Sequence, residues 1–327
     1  MISALVRMAI IGAGVMTALP FVLILSDRPA GGRPADPQAG LDFSGLSAGQ
    51  SSGSQMPDPT SVAMRDGYDL QVRSYRNGPG PLVVLVHGSG WNGLQYASLA
   101  PQIAGHVLVP DLRGHGGAPG RRGDVAYIGQ LEDDLADLIA ARVEPGQKVV
   151  LLGHSSGGGL VVRFAGGDHG AMIDRAVLLA PFLKHNAPTT RKNSGGWARP
   201  LTRRIVGLSM LNAVGITRFN HLSAIEFNMP QEVLDGPFGH LATTSYSFRL
   251  NTSYAPRGDY LQDIKSLPDF LVIAGEKDEA FVAEGYEALM TPVNPRGRYV
   301  TVPNVGHLAI VDAPATALAV KEFLGGI

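Results

Sequence analysis

The chain of 327 residues contains no cysteine. Disulfides, thiolate metal sites and a cysteine nucleophile are therefore excluded, while the compartment stays open. Charge is also scarce. Asp, Glu, Lys and Arg make up 17% of the residues and the formal net charge is −1. Such a balance carries no electrostatic footprint for nucleic acid, and none is expected as a partner. Acidic residues are missing altogether from Arg175 to Ile225, where eight Lys or Arg residues stand. What the chain has in quantity is apolar residues, 45% of the total, enough to bury a sizeable core in one large domain or two small ones.

Met8–Leu25 is a run of eighteen uncharged residues, preceded by Arg7 and followed by Asp27 and Arg28. As a helix it would span about 27 Å, enough for a bilayer core. Residues 1–28 are therefore expected to be a membrane anchor, placing the protein at a membrane through one N-terminal segment. A secretory signal cleaved after Ala30 competes with this reading, although Arg28 would then occupy an unfavourable position. A soluble apolar arm is the third reading. From residue 29 to 57 the chain is rich in Gly, Pro, Ser, Asp and Gln, a composition that cannot bury a core and reads as a flexible linker.

After residue 57 the pattern changes. Asp66-Gly67 separates two alternating runs, a hairpin signal. Continuous apolar runs at "PLVVLVHG", "HVLVPD", "KVVLLG", "RAVLLAPFL", "FLVIAGEKD" and "GRYVTVPNV" read as strands, several covered on both faces. Ile128, Leu131, Leu135, Leu138, Ile139 and Val143 recur at helical spacing, and Leu308–Leu324 reads as a closing helix. Strands alternating with helices indicate α/β architecture with a mostly parallel central sheet flanked by helices. The alternation stops between 184 and 266. That segment shows no buried-strand pattern, and its short amphipathic stretches read as a helical cap inserted between two sheet strands. The expected division is a core of 58–183 and 267–327 with a cap of 184–266.

Gly153-His154-Ser155-Ser156-Gly157 fits G-x-S-x-G directly after a strand and before an apolar helix. A nucleophile on a sharp turn needs glycine two residues away on either side, where the backbone passes close to itself. Only Ser155 has both. Ser156, the residue after it, would offer its backbone N–H to an oxyanion.

With "VLVHGSGWN", "DLRGHGGAPG", "GHSSGG", "GEKDEAF" and "NVGHLAI" in that order, the chain resembles an α/β-hydrolase. The resemblance is to the lysophospholipase-like and monoacylglycerol-lipase-like serine hydrolases, the serine aminopeptidase S33 type. It runs from about Ser61 to Ile327 apart from the cap, where any likeness is too loose to carry residues over. It implies Ser155 as nucleophile and His307, between the last strand and the terminal helix, as base. By the Gly-x-x-Asp pattern it implies Asp278 as the acid, ahead of Glu276 and Glu279. By the His-Gly-x pattern it implies the Ser89 amide as second oxyanion donor. His154 is expected to point away into the core. His87 and His115 are expected to be structural, and Asp111 and Arg113 to pair with each other or with backbone.

The reaction implied is cleavage of a carboxylic ester, lipid-like or small, through an acyl-enzyme on Ser155 and without metal or cofactor. A thioesterase or an aminopeptidase-like amidase would use the same residues, and a ligand-binding protein with a vestigial site is the reading from another class. The basic stretch in Arg175–Ile225 with the apolar Ile205–Ile216 reads either as a solvated face beside a packed helix or as a contact for anionic headgroups at a membrane surface.

Overall fold

A computed structural model describes residues 17–30, 40–43 and 56–326. Helix α1 spans 17–26. Strands β1 (Thr60–Ala63) and β2 (Asp69–Asn77) pair antiparallel around the Asp66-Gly67 turn. Gly67 adopts the left-handed φ of +80° that this turn requires. Then come β3 (Leu82–Val86), β4 (Gly105–Asp111), helix α2 (Gln130–Arg142), β5 (Val149–His154), helix α3 (Ser156–Ala165) and β6 (Arg175–Leu179). After the cap the core resumes with β10 (Asp269–Gly275), a helix at Gly285–Met290, β11 (Gly297–Val302) and a last helix at Pro314–Leu324.

Among the described residues one eight-stranded sheet forms, in the order β1-β2-β4-β3-β5-β6-β10-β11. The pairs from β4 to β11 are parallel, and β1-β2 and β2-β4 are antiparallel. Every residue of β3, β4 and β5 is buried, which explains their unbroken apolar sequence: helices cover both faces, so no polar alternation is required. Loops after β3, β4, β5, β10 and β11 gather at the carboxyl ends of the strands, where open α/β sheets place their ligands.

The insertion between β6 and β10 is not purely helical. It holds β7 (Ala198–Pro200), helix α4 (Thr202–Ala213), β8 (Ser223–Phe227), a helical turn at Gln231–Leu234, β9 (Ser245–Ser247) and helices at Phe248–Tyr254 and Tyr260–Lys265. Strands β7, β8 and β9 form a small antiparallel sheet. Strands of three to five residues, partly exposed, are too short to show a period. The closing segment also differs from the single helix expected. A short turn at Ala309–Val311 is separated from the last helix, which begins at Pro314. Proline lacks the N–H that continuation would need and is suited to the first helical turn.

The membrane anchor is overturned for the described part of 1–28. Among the described residues no helix is long and apolar enough to cross a membrane. Helix α1 lies on the cap instead. Ile24 is buried with Leu208, Leu211, Ala224 and Phe248, and the Phe21 ring meets Phe219 edge-on. A Cβ on Gly207 of α4 would come within 2.5 Å of the Pro20 carbonyl, so the missing side chain is what lets the two backbones approach. Arg204 donates to the Ile24 carbonyl, Asp27 accepts from the Arg203 amide, and Glu226 accepts from the Ala30 amide. The described part of the apolar run, residues 17–25, therefore packs on protein, and localisation through a single membrane-spanning segment is not upheld among the described residues. Residues 1–16 of the expected anchor lie outside the described residues. So do 31–39 and 44–55 of the expected linker 29–57, whereas Leu41 and Phe43 pack against the main core.

The basic stretch is largely consumed inside the molecule. Lys184 donates to the Arg257 carbonyl, Arg191 to the Asp278 and Phe281 carbonyls, and Arg199 pairs with Glu226. Arg203 and Arg204 hold α1, and Arg218 lies over Phe219. The apolar face of α4 packs on α1. A membrane-surface contact through this stretch has no support in the structure.

Candidate active site

Ser155 stands at the β5–α3 turn with φ 55° and ψ −122°. A non-glycine residue in that region stores about 1–3 kcal/mol and persists only when its surroundings enforce it. The enforcement is visible atom by atom. The Ser155 amide donates to Leu179 of β6, and its carbonyl accepts from Gly159 and Phe182. A Cβ on Gly153 would lie 2.3 Å from the Gly157 carbonyl oxygen, and one on Gly157 would lie 2.2 Å from that of Val86. Gly158 and Gly159 are equally confined, against Pro181 and the Phe182 carbonyl. All four glycines allow close approach of backbone to a neighbour.

The structure brings the three distant side chains together. Ser155 Oγ lies 3.0 Å from His307 Nε2, and His307 Nδ1 lies 2.9 Å from Asp278 Oδ2. A carboxylate can only accept, so Nδ1 carries the hydrogen and Nε2 presents a lone pair to the Ser155 hydroxyl. Burial alone would raise the Asp278 pKa. The His307 ring and the amides of Ala280 and Phe281 on Oδ1 outweigh it and hold the carboxyl below its ordinary range.

The neighbouring acids have separate tasks. Glu279 accepts from the His307 backbone amide at 2.8 Å, and Glu276 from the Asn304 amide at 2.8 Å. Asn304 has a left-handed φ of 59°, so Glu276 secures a strained turn just before the histidine. Sequence spacing could separate Asp278 from these two only through the family pattern.

In the loop after β3 the Gly88 amide donates to Gln95 Oε1 and the Gly90 amide to Tyr246 Oη. Between them the Ser89 amide has no acceptor among the described residues, and neither has the Ser156 amide. Sequence reading missed both clamps. Gln95 follows the loop closely, but Tyr246 lies on β9 of the cap, and nothing in its sequence neighbourhood marks it. Tyr246 donates in turn to His115 Nε2 at 2.6 Å, and His115 Nδ1 donates to the Arg113 carbonyl. Thr243 of the cap donates its amide to the Gly90 carbonyl. The cap thus holds the loop from both sides of Gly90.

Three further expectations need correction or detail. His154 does not simply pack in the core: its Nε2 donates to the His307 carbonyl at 2.9 Å, and its ring lies 4.7 Å from that of His307. Asp111 and Arg113 do not pair with each other, though Asp111 does meet the expected backbone partner in the Gly93 amide. Asp111 binds Arg73 and the Gly93 amide, while Arg113 spans Asp134 and Asp66 under the Tyr68 ring. These partners lie far apart in sequence, beyond the reach of local pattern. His87 accepts from the Leu112 amide at Nε2 and so ties the loops after β3 and β4 together.

The buried histidines make stability depend on pH. Burial pushes His87 down to about 4 and His154 down to about 3, and burial beside His87 pushes His115 well below its ordinary 6.5. All three are neutral when folded, while the unfolded chain binds their protons from about pH 6.5 downward. Their contribution is complete above that pH and is lost as pH falls towards the folded values. The urea midpoint is expected to drop steadily from pH 7 to pH 4.5; an unchanged midpoint over that window would contradict these assignments.

Two chambers meet at Ser155. One is lined by His307, Leu308, Gly88, Met229, Leu41 and Phe43, the other by Ser156, Phe182, Phe227, Tyr254 and Phe281. Ser89, Ser155 and Trp197 border both. The second has six aromatic residues in its lining, beside polar ones such as Ser194 and Asn251.

Comparison with known proteins bears on the whole arrangement. An uncharacterised protein of Mycobacterium tuberculosis is 35% identical over 122 residues, which cover 33% of each chain, so this chain spans about a third of that relative. Solved structures similar in fold include a soluble variant of monoglyceride lipase from Saccharomyces cerevisiae, at 17% identity and TM-score 0.65, covering 84% of this chain and 97% of that one. A thermophilic esterase from Thermogutta terrifontis has 22% identity and TM-score 0.55, covering 83% and 98% respectively. The sequence model of the alpha/beta hydrolase family matches residues 83–320, more than half of the chain and all of the sheet from β4 to β11. With that match, and with a mostly parallel sheet carrying Ser155 on a strained strand-to-helix turn, the chain belongs to the alpha/beta hydrolase family.

Proposed function

We propose that the protein is a serine hydrolase of carboxylic esters. Ser155 is the nucleophile, His307 the general base and then acid, and Asp278 the group that holds the imidazole in its working tautomer. The carrying observation is the hydrogen-bonded chain Ser155–His307–Asp278 beside two amides, Ser89 and Ser156, that have no partner among the described residues. Ser155 Oγ attacks the acyl carbonyl while His307 Nε2 takes its proton. The oxyanion is held by the Ser89 and Ser156 amides, which need no reorganisation to meet it. His307 returns the proton to the leaving oxygen, and the alcohol departs. Water then attacks the acyl-enzyme with His307 again as base, releasing the acid and restoring Ser155.

The finer reading belongs to the same proposal. The chamber beside Ser156, with its six aromatic residues, suits an apolar acyl group, and the fold likeness to a monoglyceride lipase and an esterase agrees with an ester substrate of the lysophospholipase or monoacylglycerol-lipase kind. The division into a core of 58–183 and 267–327 with a cap of 184–266 is proposed with it.

A fluorophosphonate probe tests the nucleophile directly. The folded protein should form a covalent adduct whose added mass maps to the peptide carrying Ser155, and a panel of p-nitrophenyl esters of increasing acyl length should be turned over. Folded protein that neither reacts with the probe nor hydrolyses any ester would overturn the reading.

A further inference from the structure

We infer that Leu41 and Phe43, from the N-terminal segment ahead of the hydrolase fold, form a wall of the site and limit the size of the alcohol that an ester substrate can carry. This rests on the ester-hydrolase reading for its chemistry, but the wall itself is a matter of packing. Both side chains line the chamber that also holds His307, Leu308 and Met229. The Phe43 ring lies 5.5 Å from that of Trp197, and Trp197 Nε1 donates to Ser89 Oγ at 3.1 Å. Trp197 also fills the space over Gly90, where an added Cβ would meet its ring at 2.9 Å. Packing therefore runs without a break from Phe43 through Trp197 to the loop that carries the Ser89 amide.

Among the described residues, the chain is held at Ala30 before these two side chains and at Thr60 after them. Upstream, α1 is packed on α4 and its exit at Ala30 is held by Glu226. Downstream, the chain enters the sheet at Thr60. Both Leu41 and Phe43 precede residue 83, where the family match begins, so the wall lies outside the matched span.

Proton movement decides which half of the substrate faces this wall. The proton taken from Ser155 must pass from His307 Nε2 to the oxygen of the breaking C–O bond. The leaving alcohol therefore sits on the His307 flank, in the chamber with Leu41 and Phe43. The acyl group, with its oxyanion on the Ser156 amide, extends into the aromatic chamber that Leu41 and Phe43 do not touch. An apolar wall discriminates by size, typically about 10–200-fold for a group that it excludes.

The test separates alcohol size from acyl length. One ester series keeps a butyryl group and varies the alcohol from methyl to 2-naphthylmethyl; the other keeps methyl and varies the acyl chain. Phe43→Ala is expected to raise kcat/KM for the bulkiest alcohol relative to the methyl ester by about 10-fold or more. Phe43→Trp, which narrows the same space, is expected to move the ratio the other way. The acyl-length order should stay as in the parent protein. A second readout needs no turnover. Both tryptophans of the chain, Trp91 and Trp197, line this chamber, so their fluorescence reports on it. In the Ser155→Ala background, Phe43→Ala should tighten binding of 2-naphthylmethanol by a similar factor. An alcohol preference unmoved by both substitutions, or a shift in acyl length in its place, overturns the wall. If the parent hydrolyses no ester while the binding shift is seen, the wall stands and the ester-hydrolase reading fails.

Discussion

Replacing Ser155 with alanine is expected to lower kcat by about 10⁴–10⁶-fold, leaving the residue of catalysis that oxyanion stabilisation and binding provide alone. The argument is local. Alanine removes the hydroxyl that is hydrogen-bonded to His307 Nε2, and the neighbouring Ser156 hydroxyl makes no bond to that nitrogen. The fold should survive. Alanine carries the same Cβ as serine, so the strained φ of 55° costs the same, and the backbone bonds to Leu179, Gly159 and Phe182 are untouched. Initial rates on a p-nitrophenyl ester, read beside a thermal melt, check both halves. Equal turnover by parent and variant would remove Ser155 from the mechanism, and a collapsed melt would return the loss to folding.

Asp278→Asn is expected to cost about 10⁴-fold in kcat with little change in KM. The asparagine carbonyl can still accept from the Ala280 and Phe281 amides, so the turn after β10 is retained. The amide NH₂ then faces His307 Nδ1. It cannot accept a hydrogen there, and the imidazole is driven to the tautomer with hydrogen on Nε2. That tautomer offers Ser155 a donor where a base is needed. The charge that would stabilise the imidazolium in the transition state is lost as well. Kinetics for the parent and variant at matched pH decide the point. A loss below about tenfold would mean that Asp278 only supports its turn. The carboxyl also contributes to acid stability. Because its folded pKa is depressed, that contribution is complete above the ordinary carboxylate range and is lost as pH falls through the folded value.

How far the chain could be read depends on how local each device is. The turn at Ser155 was readable because its steric demand falls on residues two to four positions away, and only glycines at 153 and 157–159 meet it. The parallel sheet was readable because strands covered on both faces need no polar alternation. Asp278 was harder. Three carboxylates fall within four residues, and their separate tasks appear only when β10 and β11 lie side by side and bring Asn304 and His307 opposite them.

The sequence alone determined the alternating strands and helices of the sheet and the strained turn that places Ser155 at its carboxyl edge, since each is written in residues close together along the chain. Only the tertiary structure decided where residues 17–30 of the apolar N-terminal run and its exit go. A hydrophobic run gains about as much from a protein groove as from lipid, so its composition is silent on which of the two it meets. The deciding features were Gly207, Arg204 and Glu226, nearly two hundred residues away, which offer α1 a close backbone surface and partners for its carbonyl and amide ends. The clamp of Tyr246 on Gly90 and the wall of Leu41 and Phe43 are of the same kind. They arise where the cap and the N-terminal segment fold over the carboxyl ends of the strands, and no spacing along the chain records that contact.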